Sequence, residues 1–241
     1  MTKHTKRKSL YIIPTLLAIV VLISIFYVRD YYHASASVKQ YLESTSTVKV
    51  ESIDDGIFLD GPGEDQALIF YPGAKVEYTA YVPLLHRLAE QGINIFLVKM
   101  PGNLAIFGQN KTSDIMEQYD YDEWYIGGHS LGGAMAASYV AKHDDVLDGL
   151  VLLAAYPTKE LPQKDFKVVS IYGSEDGVLY MDKVEKGRAY MPEDYTEVCI
   201  DGGNHAQFGD YGVQKGDGEA EISREEQQEQ TANAIVKVLN Q

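Results

Sequence analysis

Glu123-Trp124-Tyr125-Ile126-Gly127-Gly128-His129-Ser130-Leu131-Gly132-Gly133-Ala134 decides the fold. The mostly apolar run Glu123–His129 reads as a strand, and the Ala-rich run 131–143 reads as a helix. Between them lies Gly128-His129-Ser130-Leu131-Gly132, a G-x-S-x-G pentapeptide. Strand, sharp turn and helix form the setting in which such a motif lifts a serine above the end of a sheet. The turn is tight, so the residues two positions either side of Ser130 must be small, and both are glycine. Ser130 then stands at a helix N-terminus, where negative charge is favoured.

Outward from this stretch, strand-like and helix-like segments alternate, the pattern of an α/β domain with a mainly parallel sheet. Residues 47–53 and 57–59, joined by Asp54-Asp55-Gly56, read as a hairpin. Residues 67–71 form an apolar run stopped by Pro72-Gly73, 78–91 a helix with Tyr81, Leu84, Leu85 and Leu88 on one side, and 93–100 a buried strand. Further strands are expected at 147–155, 167–172 and 196–200, with a helix at 181–189. A last helix starts near Ser223, which forms a capping box with Glu226; its Glu and Gln residues suggest a solvated outer face.

A serine hydroxyl needs a base, and the base needs an orienting carboxylate. On a strand–elbow–helix framework the chain order is serine, acid, histidine. Of the six histidines, His4 and His33 flank an apolar N-terminal run, His86 and His143 lie on expected helices, and His129 packs within the elbow. His205, in the loop Asp201-Gly202-Gly203-Asn204-His205 after the last strand, stands where the base belongs. The acid should end the preceding strand, in Ser170-Ile171-Tyr172-Gly173-Ser174-Glu175-Asp176-Gly177. Asp176 fits, adjacent Glu175 is an alternative, and Glu160 is a weaker candidate. Ser130, Asp176 and His205 are therefore the expected catalytic residues.

An oxyanion requires two donors. The backbone N–H of Leu131 is one. The other is expected from Ala74, in the turn Tyr71-Pro72-Gly73-Ala74-Lys75. Leu104, Ala105, Ile106 and Phe107 are compatible with an acyl pocket and equally with core. Tyr78, Tyr156, Tyr172 and Tyr180 fall near loop ends, where surface tyrosine is the default. Only about ten residues separate the strands ending near Ala155 and starting near Lys167, too few for a substantial lid. Asp210, Asp217, Glu219 and Glu221 offer oxygen ligands but lack EF-hand spacing, so a solvated loop is expected and no metal.

From about Gly56 to its end the chain resembles the small bacterial α/β-hydrolases of the fold-5 type. The resemblance lies in Tyr71-Pro72-Gly73-Ala74, in 127–134, 171–177 and 202–209, and in Lys99-Met100-Pro101 followed by Asn103-Leu104-Ala105. It implies the α/β-hydrolase fold, hydrolysis of an ester-like bond in a small substrate, the same three catalytic residues and no cofactor. It supplies no substrate. The related dienelactone hydrolases use a cysteine nucleophile, whereas this chain has Ser130.

The first 36 residues read as an address. Residues 10–28 carry no charge, and 19 residues at about 1.5 Å each span roughly a hydrocarbon core. Lys3, Lys6, Arg7 and Lys8 precede this run, which places the N-terminus in the cytoplasm and the remainder outside. The expected organisation is a cytoplasmic basic tail (1–9), a single-pass anchor in the lipid bilayer (10–28), a juxtamembrane linker (29–46) and an α/β-hydrolase domain (47–241). The alternative is secretion after cleavage near Ala36, since Ala34-Ser35-Ala36 resembles a cleavage site. The net charge is −14, with +4 in residues 1–36 and −18 in the rest, which argues against nucleic acid as partner. The single cysteine, Cys199, allows no internal disulfide and reads as a small buried side chain. The expected function is a membrane-anchored extracytoplasmic serine esterase of short-acyl preference. The alternatives are an amidase, thioesterase or transacylase on envelope material, and a non-catalytic binding module on the same scaffold.

Overall fold

A computed structural model describes residues 13–22, 24, 27, 29–143 and 146–241 of the chain. They fall into two compact units, Met1–Tyr31 and Tyr32–Gln241. In the first, residues 13–22 are helical and exposed. Among the described residues no helix is long and apolar enough to cross a membrane; the run 10–28 lies partly outside those residues.

The second unit is built on one eight-stranded sheet. Its strands are β1 (Lys49–Ile53), β2 (Gly56–Asp60), β3 (Gln66–Tyr71), β4 (Asn94–Val98), β5 (Glu123–His129), β6 (Gly149–Leu153), β7 (Lys167–Gly173) and β8 (Thr196–Ile200). Their order is β1-β2-β4-β3-β5-β6-β7-β8. The expected hairpin pairs β1 with β2 antiparallel, and β2 runs antiparallel to β4; every other neighbouring pair is parallel. After β3 the chain crosses to one side to form β4, and then returns to the other side for β5. That reversal opens a crevice beyond the C-terminal ends of β3 and β5, where open parallel sheets bind their ligands.

Alternation along the strands sends side chains to two cores. Leu68 and Phe70 join Leu84, Leu85, Leu88, Ile235 and Leu239 on one face, beneath α1 (Val82–Glu90) and α5 (Arg224–Leu239). Ile69 and Tyr71 join Ile126, Ala136, Tyr139 and Val140 on the other, beneath α3 (Leu131–Val140). Both faces of the central strands are thus covered, which is why they read as unbroken apolar runs.

Most elements fall where the sequence puts them, and the departures have local causes. The helix expected over 78–91 begins as a 3₁₀ turn, Tyr78–Tyr81, and becomes α-helical with Pro83 in its first turn. A short helix, α2 (Lys111–Met116), carries too few apolar residues to show periodicity. Residues 181–189 divide into α4 (Met181–Gly187) and a 3₁₀ turn, Arg188–Tyr190. Cys199 is exposed and not buried, because β8 is an edge strand with an open face. The connection 154–166 between β6 and β7 holds neither helix nor strand.

Within the stretch 29–46, residues from Tyr32 onward are packed on the domain. Tyr32 bridges to Val76, Ser35 N–H donates to Asp210 O (2.8 Å), and Val38 is buried in the 3₁₀ turn Ala36–Leu42.

Candidate active site

Ser130 has φ 53° and ψ −121°, a conformation that L-residues avoid. The turn tolerates it because Ser130 N–H donates to Leu153 O on β6 (2.9 Å) and Ser130 O accepts from Ala134 N–H on α3 (3.0 Å). Close packing beneath the turn leaves no room for side chains. A Cβ on Gly128 would lie 2.6 Å from Tyr71 O, and one on Gly132 would lie 2.2 Å from Tyr71 O and 2.4 Å from Pro72 O. The elbow is therefore pressed against the end of β3, the strand that leads into Gly73-Ala74. Strain gathers here: Lys75, Asn103 and Ala154, like Ser130, have positive φ, and all stand just beyond strand C-termini.

The structure brings His205 and Asp176 together. His205 Nδ1 lies 2.8 Å from Asp176 Oδ2, and each side chain is 2% exposed. A carboxylate only accepts, so Nδ1 carries the proton and Nε2 is left as an acceptor. Asp176 Oδ1 in turn accepts from Val178 N–H (2.9 Å) and Leu179 N–H (2.7 Å), which fixes the carboxylate. Adjacent Glu175 accepts instead from Ser174 Oγ (3.0 Å), and Glu160 is exposed in the β6–β7 connection. Buried His205 Nε2 has no hydrogen-bond partner among the described residues.

Ser130 and His205 line one cavity of about 240 Å³, together with Leu131, Ala134, Ala154, Ala155, Tyr156, Val178, Leu179 and Tyr180. Leu104, Ala105 and Phe107 do not line it: Ala105 is buried in the second core and Phe107 is 66% exposed. Of the four loop tyrosines, Tyr156 and Tyr180 line the cavity, while the Tyr172 hydroxyl donates to Glu197 (2.9 Å). A larger hollow of about 460 Å³ lies at the N-terminal ends of β5, β7 and β8, among Glu123, Asp148, Asp165 and Lys167, and has no serine or histidine in its lining. Among the described residues, neither Leu131 N–H nor Ala74 N–H meets an acceptor, so both remain available to an oxyanion.

His129 couples the two halves of the site. Gly73 N–H donates to the Tyr81 hydroxyl (3.1 Å), and that hydroxyl bonds His129 Nδ1 (2.8 Å). The His129 ring packs on the His205 ring with centroids 4.4 Å apart. Burial, and next the charge His205 can carry, holds the His129 imidazole well below its ordinary 6.5. It stays neutral beside His205.

Nothing in the sequence marks Gln227 as part of the site. Ser223 caps the helix, its Oγ accepting from Glu226 N–H (3.1 Å), but Gln227 and Gln228 are buried and not part of a solvated face. Gln227 accepts from Asn204 N–H (2.9 Å) and donates to Asn204 O (2.7 Å), pinning the residue before His205.

The family profile described as the alpha/beta hydrolase family matches residues 67–229. The chain belongs to the alpha/beta hydrolase family and is an enzyme of the hydrolase class. Among solved structures, a bacterial membrane phospholipase A, described as a virulence factor, aligns with TM-score 0.61 and 12% identity over 100% of both chains. Dienelactone hydrolase from Anabaena variabilis ATCC 29413 aligns at 0.60 and 11% identity, over 80% of this chain and 98% of its own. Est1E from Butyrivibrio proteoclasticus aligns at 0.56 and 16% identity, over 81% and 100%. At these identities the likeness is one of fold. No curated protein sequence matches the chain.

Gly132→Ala should disrupt the elbow, since its methyl has no space against the Tyr71 and Pro72 carbonyls. The expected outcome is a loss of about 1–3 kcal/mol by urea denaturation together with severe loss of hydrolysis. His129 gives a pH dependence of known sign. The unfolded histidine takes a proton near its ordinary 6.5 and the folded one does not, so stability is present above that pH and is lost as pH falls below it. His86, also lowered by burial, acts in the same direction. Denaturation at pH 7 and pH 5 should show His129→Gln losing less stability than wild type on acidification.

Proposed function

We propose that this protein is a membrane-anchored, extracytoplasmic serine hydrolase that cleaves short-acyl esters through an acyl-enzyme on Ser130. One observation carries the reading. A buried imidazole, fixed at Nδ1 by Asp176, shares a cavity with a strained serine and has Nε2 free to accept its proton. In this mechanism Ser130 Oγ attacks the ester carbonyl while His205 Nε2 takes its proton. Leu131 N–H and Ala74 N–H stabilise the oxyanion, and the imidazolium returns the proton to the leaving alcohol. Water, activated by the same histidine, then releases the acid. Asp176 stays ionised and holds the imidazole tautomer.

The cavity supports the preference for short acyl groups. At about 240 Å³, walled by Ala134, Ala154 and Ala155, it lies below the range usual for drug-sized ligands. The β6–β7 connection holds no helix or strand that could fold over a long tail. Two structural neighbours, a dienelactone hydrolase and Est1E with bound ferulic acid, are in keeping with small ester substrates.

The anchor rests on the uncharged run 10–28 and the basic residues before it. Retention is favoured over cleavage after Ala36 because Tyr32, Ala34 and Ser35 bond to the domain; removing them would unmake those contacts.

On p-nitrophenyl esters, acetate and butyrate should turn over faster than palmitate. Ser130→Ala should lower kcat by about 10³-fold or more without unfolding the protein; wild-type turnover in that variant contradicts the mechanism. In cell fractions, the full-length chain should stay with membranes through a high-salt wash. A soluble product beginning near Ser37 contradicts a retained anchor.

A further inference from the structure

The loop after β8 contains an acidic stretch that the sequence assigned to solvent, and one of its carboxylates is engaged otherwise. Asp217 Oδ1 accepts from Gly177 N–H (3.1 Å), His205 N–H (3.2 Å) and Gly218 N–H (2.9 Å). Its Oδ2 accepts from Ala206 N–H (2.8 Å). Gly177 directly follows Asp176, and Ala206 directly follows His205. One side chain therefore grips the loop that carries the acid and the loop that carries the base. The grip is close-packed: a Cβ on Gly218 would lie 2.0 Å from Glu175 O, and one on Gly177 would lie 2.6 Å from Gly216 O. Asn204 Nδ2 donates to Gly218 O (2.8 Å), tying the same loop back to the residue before His205.

From this geometry we infer that Asp217 is a positioning residue for the hydrolysis: it sets the spacing of the Asp176–His205 pair by binding the backbone of both. The inference rests on the triad reading above. The physical reason is the geometry of the donors. Loops after different strands have no covalent reason to hold a fixed separation, and four amides that converge on one carboxylate supply it. A carboxylate makes stronger hydrogen bonds to amides than a neutral acceptor does. An asparagine has one acceptor oxygen, so it would keep the amides at one position and face an N–H at the other. Misplacement of a base by about 1 Å is enough to cost about 100-fold in rate.

The test compares Asp217→Asn and Asp217→Ala in the full-length protein. The readouts are kcat and KM on p-nitrophenyl acetate, the low-field proton resonance of the His205 Nδ1–H, and the melting temperature. In Asp217→Ala, kcat should fall about 100-fold with KM changed by no more than about twofold, and the resonance should shift or vanish. Asp217→Asn should fall between that variant and wild type in both. Wild-type kcat and resonance in Asp217→Ala overturn the inference. So does a lower melting temperature with kcat and resonance unchanged, which is what a purely structural role produces. If Asp217→Ala does not fold, Asp217→Asn decides by the same criteria. If Ser130→Ala hydrolyses the ester as well as wild type, the serine mechanism fails. The resonance still reports on Asp217 in that case: a shift supports it and an unchanged signal overturns it.

Discussion

The contact between the elbow and the end of β3 sets everything else at the site. Gly128 and Gly132 bring the start of α3 against the Tyr71 and Pro72 carbonyls, with no room for a methyl at either position. Ser130 is thereby held in a left-handed conformation at the end of β5, and the same contact fixes the turn that presents Ala74 N–H. Ser130 and Ala74 follow the ends of neighbouring strands, because β3 and β5 are parallel and in register, from Gln66 opposite Glu123 to Tyr71 opposite Gly128. The strain at Ser130 is sustained by the burial on both faces of the sheet.

The half of the site around His205 is assembled by polar contacts instead of packed glycines. Asp176 fixes His205 at Nδ1, Gln227 holds Asn204, and the Tyr81–His129 pair connects the ring of His205 to the turn at Gly73. Such a network has high stakes in a dry interior, since any member left unpaired costs desolvation without return. His129 shows the compromise. A second histidine against His205 would oppose its protonation if charged, and burial keeps that second ring neutral.

What the sequence made legible was local. The elbow, the strands around it and the loop of His205 are contiguous motifs whose residue types have few other uses. Asp176 and Glu175 were harder to separate, because they are adjacent and chemically alike; only the fold shows which carboxylate meets the imidazole. Gln227 was illegible because its partner lies 23 residues away and its helix reads as solvated. The cavity lining was missed for a similar reason. Leu104 and Phe107 are apolar residues in a loop near the elbow, but much of the wall comes from Ala134 on α3 and from Ala154 and Ala155 just after β6, whose size signals packing as readily as binding.

Covalent trapping tests the central claim most directly. Wild-type protein treated with a fluorophosphonate and digested should carry one adduct, mapped by mass spectrometry to Ser130, and His205→Ala should carry almost none. An adduct on another residue, or esterase activity that survives full modification of Ser130, would contradict the account.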